Sequence, residues 1–116
     1  PSAPLCLIER IHGRATFRRF GPGARRFRRR PLPLVVADRD GGPAAFAYAV
    51  SRRVGPAVVR NRLRRQLRAA AVEIDADQPV RPAWYLVVVH PSARGTGYRD
   101  LLSALRSTLA EAGSRP

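Results

Sequence analysis

Between residues 44 and 51 the chain alternates bulky and small side chains: Phe46, Tyr48 and Val50 against Ala45, Ala47 and Ala49. A period of two is that of a β-strand. The bulky side predicts a core face, and the alanines leave a shallow floor opposite, either open to a ligand or covered by a closely packed helix. The period then changes. Over about 57–73, Val59, Leu63, Leu67, Ala70 and Ile74 share one narrow arc at about 100° per residue, which predicts an amphipathic helix. Arg60, Arg64 and Arg68 border that arc, and Asn61, Arg62 and Arg65 continue round the solvent side.

The apolar run "WYLVVVH" at 84–90 predicts a central strand buried on both faces, and Pro91 ends it. Tyr98, Leu101, Leu105, Leu109 and Ala112 recur at helical spacing, predicting a last helix over 98–112. "LPLVVAD" at 32–38 reads as a strand whose Pro33 places it at an edge or delays its start. A short helix is expected over 14–20, "RATFRRF", stopped by Gly21-Pro22 and followed by a basic loop, "GPGARRFRRRP". Residues 75–83 read as a loop, 1–9 as an extended arm and 113–116 as a frayed end. The order α-β-β-α-β-α makes one small α/β domain, an α+β sandwich, over 1–116.

Charge sharpens this outline. The formal net charge is +14, and all 22 basic residues are arginine. Residues 10–30 hold nine arginines and 52–68 hold seven, with no acid in either block. The remaining six arginines face all eight acids, so the excess sits in two places. Solubilising charge is mixed in sign; segregated charge suits a polyanion, and the planar guanidinium fork grips phosphate through two hydrogen bonds. Phe17, Phe20 and Phe27 are interleaved with arginines, the composition of a platform for single-stranded nucleic acid. The same rings could equally pin a short helix to the sheet.

Catalytic chemistry finds little support. His12 and His90 lie in different elements without a nearby Cys or carboxylate cluster, and each reads as a surface or RNA-facing side chain. The acids lie mostly at element ends, where caps and turns account for them. Ser51 has no evident base, and the glycines form no phosphate-cradling fingerprint. The single cysteine, Cys6, has no disulfide or zinc partner, which fits a reducing cytoplasm. No apolar run reaches the roughly 18 residues of a membrane span, and no feature calls for an obligate protein partner. A general or ribosome-associated RNA-binding protein without a role in cleavage, and a DNA-binding regulator, stand as alternatives; the latter lacks a preceding helix-turn-helix partner.

The stretch "AVSRRVGPAVVRNRLRRQLR" resembles the signature of the bacterial ribonuclease P protein subunit. Val50, Ser51, Arg52, Arg53, Gly55, Ala57, Val58, Arg60, Asn61, Arg62, Arg64, Arg65 and Arg68 fill its places. "FRRF", the edge strand, "WYLVVVHP" and the Leu-rich last helix extend the likeness over nearly the whole chain. The resemblance implies an α/β sandwich with a left-handed βαβ crossover, against the usual hand. It also implies an accessory subunit of an endoribonuclease whose catalytic RNA, with Mg²⁺, removes the 5′ leader of precursor tRNA. On that likeness no residue of this chain is catalytic or binds metal. Arg52, Arg53, Arg60, Asn61, Arg62, Arg64, Arg65 and Arg68 would contact the catalytic RNA, and Phe17, Phe20, Ala47, Ala49 and Ser51 the leader. Three departures stand out. The two first-helix phenylalanines lie three apart rather than four, Leu34 occupies a common aromatic position, and Pro56 replaces a small polar residue.

Overall fold

The computed structural model describes residues 9–10, 20–21, 23–39 and 41–113. The expected helix at 14–20, apart from Phe20, residues 1–8 of the expected arm at 1–9 and residues 114–116 of the expected frayed end lie outside the described residues, while Glu9, the last residue of that arm, is in a strand. Five strands form one sheet: β1 (Glu9–Arg10), β2 (Arg25–Phe27), β3 (Leu34–Ala37), β4 (Ala45–Ala49) and β5 (Trp84–Val88). Their spatial order is β1-β4-β5-β3-β2. Among the described residues two helices, α1 (Ala57–Asp77) and α2 (Tyr98–Glu111), accompany the sheet, with a 3₁₀ turn at Pro91–Ala93. β4 and β5 pair in parallel, so α1 is the crossover that returns the chain to the same end of the sheet.

Alternation decides the two faces. Leu34, Val36, Phe46, Tyr85 and Val87 join Leu63, Leu67, Ala70, Ala71 and Ile74 of α1 and Leu101, Leu105 and Leu109 of α2 in one core. Each such side chain contributes about 1.5–3 kcal/mol by leaving water. Phe46 stacks on Tyr85 with ring centroids 4.8 Å apart, and the buried Tyr85 hydroxyl donates to the Arg81 carbonyl, so its polar end is satisfied. Thr108, also buried, donates to the Leu32 carbonyl at 3.2 Å and ties α2 to the entry of β3.

The structure corrects the outline in four places. Arg25–Phe27, expected within a loop, is an antiparallel edge strand on β3; charged side chains on an edge are compatible with pairing on one side only. α1 runs about one turn further than the apolar arc, to Asp77. The acids there are tethers: Asp75 accepts the Val80 N–H at 2.9 Å, Asp77 pairs with Arg106 at 3.1 Å, and Glu73 accepts the Tyr98 hydroxyl at 2.8 Å. β5 is central, yet Trp84, Leu86 and Val88 are only half-buried, because the helices cover the other face. Leu34 points into the helix-side core, so on β3 the opposite face is supplied by Val35 and Ala37.

Candidate nucleic-acid interface

Two surfaces meet where β4 ends and α1 begins. After Val50 the chain turns through Ser51–Val54, closed by bonds from Val54 N to Ser51 O and from Gly55 N to Arg52 O. Val54 is buried beneath the turn, which leaves Ser51, Arg52 and Arg53 exposed. Gly55 sits in a crowded turn: a Cβ there would lie 3.2 Å from Val59 Cβ and 3.4 Å from Arg94 Nη1, so a side chain would push these neighbours by a few tenths of an ångström. Its carbonyl accepts Arg60 Nε at 3.1 Å, fixing one edge of that guanidinium while the other nitrogens remain for an outside acceptor.

α1 carries its charge against its own dipole. Its first twelve residues, 57–68, contain five arginines and no acid, and 69–77 contain three acids and no arginine. A helix favours anions at its N-terminus and cations at its C-terminus, by about 0.3–1 kcal/mol each. No side chain caps the N-terminus, where Pro56 precedes Ala57. Arg62 and Arg65 are fully exposed, while Arg60, Arg64 and Arg68 are half-buried along the apolar arc, as the wheel predicts. Arg64 Nη1 donates to Asn61 Oδ1 at 3.1 Å. Among the described residues no carboxylate pairs with an arginine of 52–68. The arrangement costs the free protein stability, a cost that a bound anion would offset.

The second surface is the sheet face away from the helices. Strand register sets out its floor in rows: Ala45, Trp84 and Ala37, then Ala47, Leu86 and Val35, then Ala49 and Val88 beside Pro33. Ser51 and His90 continue the alternation at the α1 end. The alanine side of β4 is thus opposite the core, and Ala49 is exposed while Ala45 and Ala47 are buried. Phe20 is buried against Val35 and Ala37, with Ala24, Trp84 and Leu86 around it, and so packs on this face. Phe17 lies outside the described residues. His90 Nδ1 accepts the Ser92 N–H at 3.1 Å and lies 2.8 Å from Ser92 Oγ. In the tautomer that lets Nδ1 accept this bond, the ring N–H is on Nε2.

The arginine set read from the sequence is brought together at one end of the molecule, with Ser51 at its border. Sequence reasoning missed Arg94, whose guanidinium lies beside Gly55. No local signal reveals it, since it meets the turn only because parallel β4 and β5 deliver their exits side by side. It also missed the Arg39 guanidinium, stacked over the Trp84 ring at 4.1 Å at the other end of the floor. Among the described residues no three of His, Cys, Asp or Glu gather as metal ligands, and no helix is long and apolar enough to cross a membrane.

The same fold occurs in proteins of known structure. The ribonuclease P protein of Staphylococcus aureus superposes with a TM-score of 0.82 over 92% of this chain and 97% of its own, at 18% identity. That of Thermotoga maritima does so at 0.78 over 89% and 96%, at 16% identity; both show the fold. In sequence, the ribonuclease P protein component of Gluconacetobacter diazotrophicus is 34% identical over 113 residues, covering 94% of this chain and 97% of the relative. The ribonuclease P family profile matches residues 8–113. The chain belongs to the ribonuclease P protein family.

Proposed function

We propose that this chain, as the protein component of an endoribonuclease, binds two RNAs on the two surfaces above. Arg52, Arg53, Arg60, Asn61, Arg62, Arg64, Arg65 and Arg68 contact the phosphates of a catalytic RNA. The floor of Ala47, Ala49 and Ser51, walled by Phe20, receives the single-stranded 5′ leader of precursor tRNA, a ligand to which the sequence resemblance also assigns Phe17. The observation that carries this reading is a cation face without carboxylates among the described residues, directly beside a floor of small side chains that is exposed at Ala49 and Ser51.

Mechanism follows from electrostatics. Catalytic RNA and substrate are both polyanions, and guanidinium groups between them lower the cost of bringing them together. Seven arginines of 52–68, each neutralising one phosphate, give a salt slope of about −6 and a several-thousand-fold loss of affinity between 50 and 200 mM salt. Half-buried Arg60 and Arg64, each with one guanidinium nitrogen already engaged, orient the phosphates, and exposed Arg62 and Arg65 supply charge. Mg²⁺ fits no cluster of donors among the described residues; on this reading it is held by RNA phosphates and supplies the Lewis acid for hydrolysis there. The cytoplasm, where precursor tRNA is processed, is the compartment this role requires.

The test is reconstitution. The chain is combined with a bacterial ribonuclease P RNA at low Mg²⁺ and given precursor tRNA. Restored leader removal that falls steeply with salt is expected. RNA binding without restored cleavage would assign the chain to general RNA binding, and a flat salt response would refute the electrostatic mechanism.

A further inference from the structure

Part of the first arginine block is carried to the same end of the sheet as the α1 surface. β4 and β5 are parallel and both leave the sheet there, β4 toward Arg52 and β5 toward His90. β3 is antiparallel to β5 and so enters at that end, and β2 finishes there with Phe27 opposite Leu34. The β2–β3 connection therefore sets Arg28, Arg29 and Arg30 beside the exits of β5 and β4. Neighbouring strands lie about 4.8 Å apart, which puts this connection about 10–15 Å from the β4 exit. Arg94, on the segment that follows β5, has its guanidinium beside Gly55 of the β4–α1 turn.

The connection is held at both ends. Phe27 packs against the core before it, and Leu32 is fully buried after it. Thr108 Oγ1 donates to the Leu32 carbonyl, and the His90 N–H donates to the Pro31 carbonyl at 2.9 Å. Between those anchors all three arginines are exposed, and among the described residues none of them pairs with a carboxylate. Two ordinary uses of surface charge do not account for them. Charge on an edge strand discourages edge-to-edge pairing, but Arg25 and Arg26 are the arginines on the β2 edge, and residues 28–30 lie beyond it. Charge kept for solubility is mixed in sign, whereas this run has one sign. Three unpaired cations on an anchored backbone suit a polyanion.

We infer that Arg28, Arg29 and Arg30 bind phosphates of the catalytic RNA and extend its contact from α1 across the strand ends. Direction selects this partner over the leader. The floor proposed for the leader follows β4, so a single strand lying on it meets the line of strand ends at Arg52 and Arg53. Arginines two to three strands to the side are reached by the broader phosphate lattice of a folded RNA. This assignment rests on the RNA-binding reading above and adds a second chain segment, outside the arginine signature, to the contact that α1 makes.

The test measures the affinity of the full chain for a bacterial ribonuclease P RNA over a salt series, with Arg28→Gln, Arg29→Gln and Arg30→Gln combined. One to three lost phosphate contacts make the salt slope shallower by about 0.9–2.7 and weaken binding about 8- to 500-fold at 0.1 M salt. Unchanged slope and affinity overturn the site. Arg28→Lys with Arg29→Lys and Arg30→Lys keeps the charge and should recover most of the affinity, which shows that the loss is not a folding defect. Should it bind as weakly as the Gln variant, charge is not what the RNA meets there, and the site fails. The reconstituted holoenzyme, assembled at saturating protein, is then given precursor and mature tRNA. The ratio of their affinities should keep its wild-type value; a lowered ratio with unchanged catalytic-RNA binding would give these arginines to the leader and overturn the assignment. Arg62→Gln with Arg65→Gln is the control. An effect there alone leaves the α1 interface standing without this extension, and no effect in either variant removes the reading on which it rests.

Discussion

Arg65→Gln separates a functional arginine from a structural one, because the two roles predict opposite signs. Arg65 is exposed on α1, with Arg62 three residues before it and Arg68 three after, and no carboxylate or hydrogen-bond partner holds it among the described residues. Each like-charged neighbour one turn away costs an isolated helix about 0.2–0.5 kcal/mol, so removing the central charge returns about 0.4–1 kcal/mol. Gln has nearly the helix propensity of Arg, so little is lost in exchange. In a domain of this size that gain raises Tm by about 2–4 °C at low salt. RNA binding moves the other way. One phosphate contact to structured RNA is worth about 0.9 of salt slope, hence about an eightfold loss of affinity at 0.1 M salt. Calorimetry of the free chain and filter binding to a catalytic RNA over a salt series measure both. A fall in Tm with unchanged affinity would show that Arg65 serves the fold, and the reasoning about α1 would be wrong. An unchanged slope would mean that this face meets no phosphate.

Three further outcomes follow from the geometry. Ala49→Phe places a ring on the exposed end of the floor and should weaken binding of leader-bearing precursor relative to mature tRNA, with catalytic-RNA affinity unchanged; equal affinities for precursor and mature tRNA in the wild type would refute a leader floor. Phe20→Ala empties a site only 5% exposed and should cost about 3–5 kcal/mol, read as a lowered urea midpoint. The Tyr98 phenol has its pKa raised, first by desolvation and then by the hydrogen bond to Glu73 and that carboxylate's charge. Its contribution is therefore complete below about pH 10, where the unfolded tyrosine ionises, and is lost as pH rises through the higher folded value. Tyr98→Phe should remove that alkaline loss in denaturation midpoints.

What the sequence made legible was the part governed by near neighbours. The faces of β4 and the apolar arc of α1 follow from periods of two and 3.6, and the structure keeps both, from Phe46 to Ile74. The element ends that differed depend on distant partners. Asp75 and Asp77 look like loop residues until Val80 and Arg106 are seen to hold them, and their bonds are what continue α1 by a turn. Arg25–Phe27 has no alternation to announce a strand and forms one only because β3 offers an edge. The same holds for the site. The arginines of α1 are contiguous in sequence and could be named in advance. Arg94 at Gly55, and Arg39 over Trp84, are neighbours made by the sheet, and no window of sequence contains them both.

The division of α1 shows how one helix can serve both the fold and a polyanion. Its acids sit at the end where the dipole disfavours them, yet each is engaged: Glu73 by Tyr98, Asp75 by Val80, Asp77 by Arg106. Two of those three bonds run to α2, so the electrostatic anchoring of the pair is concentrated in the half without arginine. The basic half is held to the sheet by Leu63 and Leu67 and by the Gly55 turn, which engages Arg60 through Nε alone and leaves the other arginines of α1 uninvolved. Had the arginines been anchored by those same acids, each phosphate contact would have had to break an ion pair, cancelling most of its gain. Keeping the acids more than a turn beyond the last arginine of the same rod, with Glu73 five residues after Arg68, preserves the positive field at the β4–α1 junction. The unfavourable dipole energy, about 0.3–1 kcal/mol for each misplaced charge, is below the roughly 1.2 kcal/mol that an eightfold affinity gain from one phosphate contact would represent.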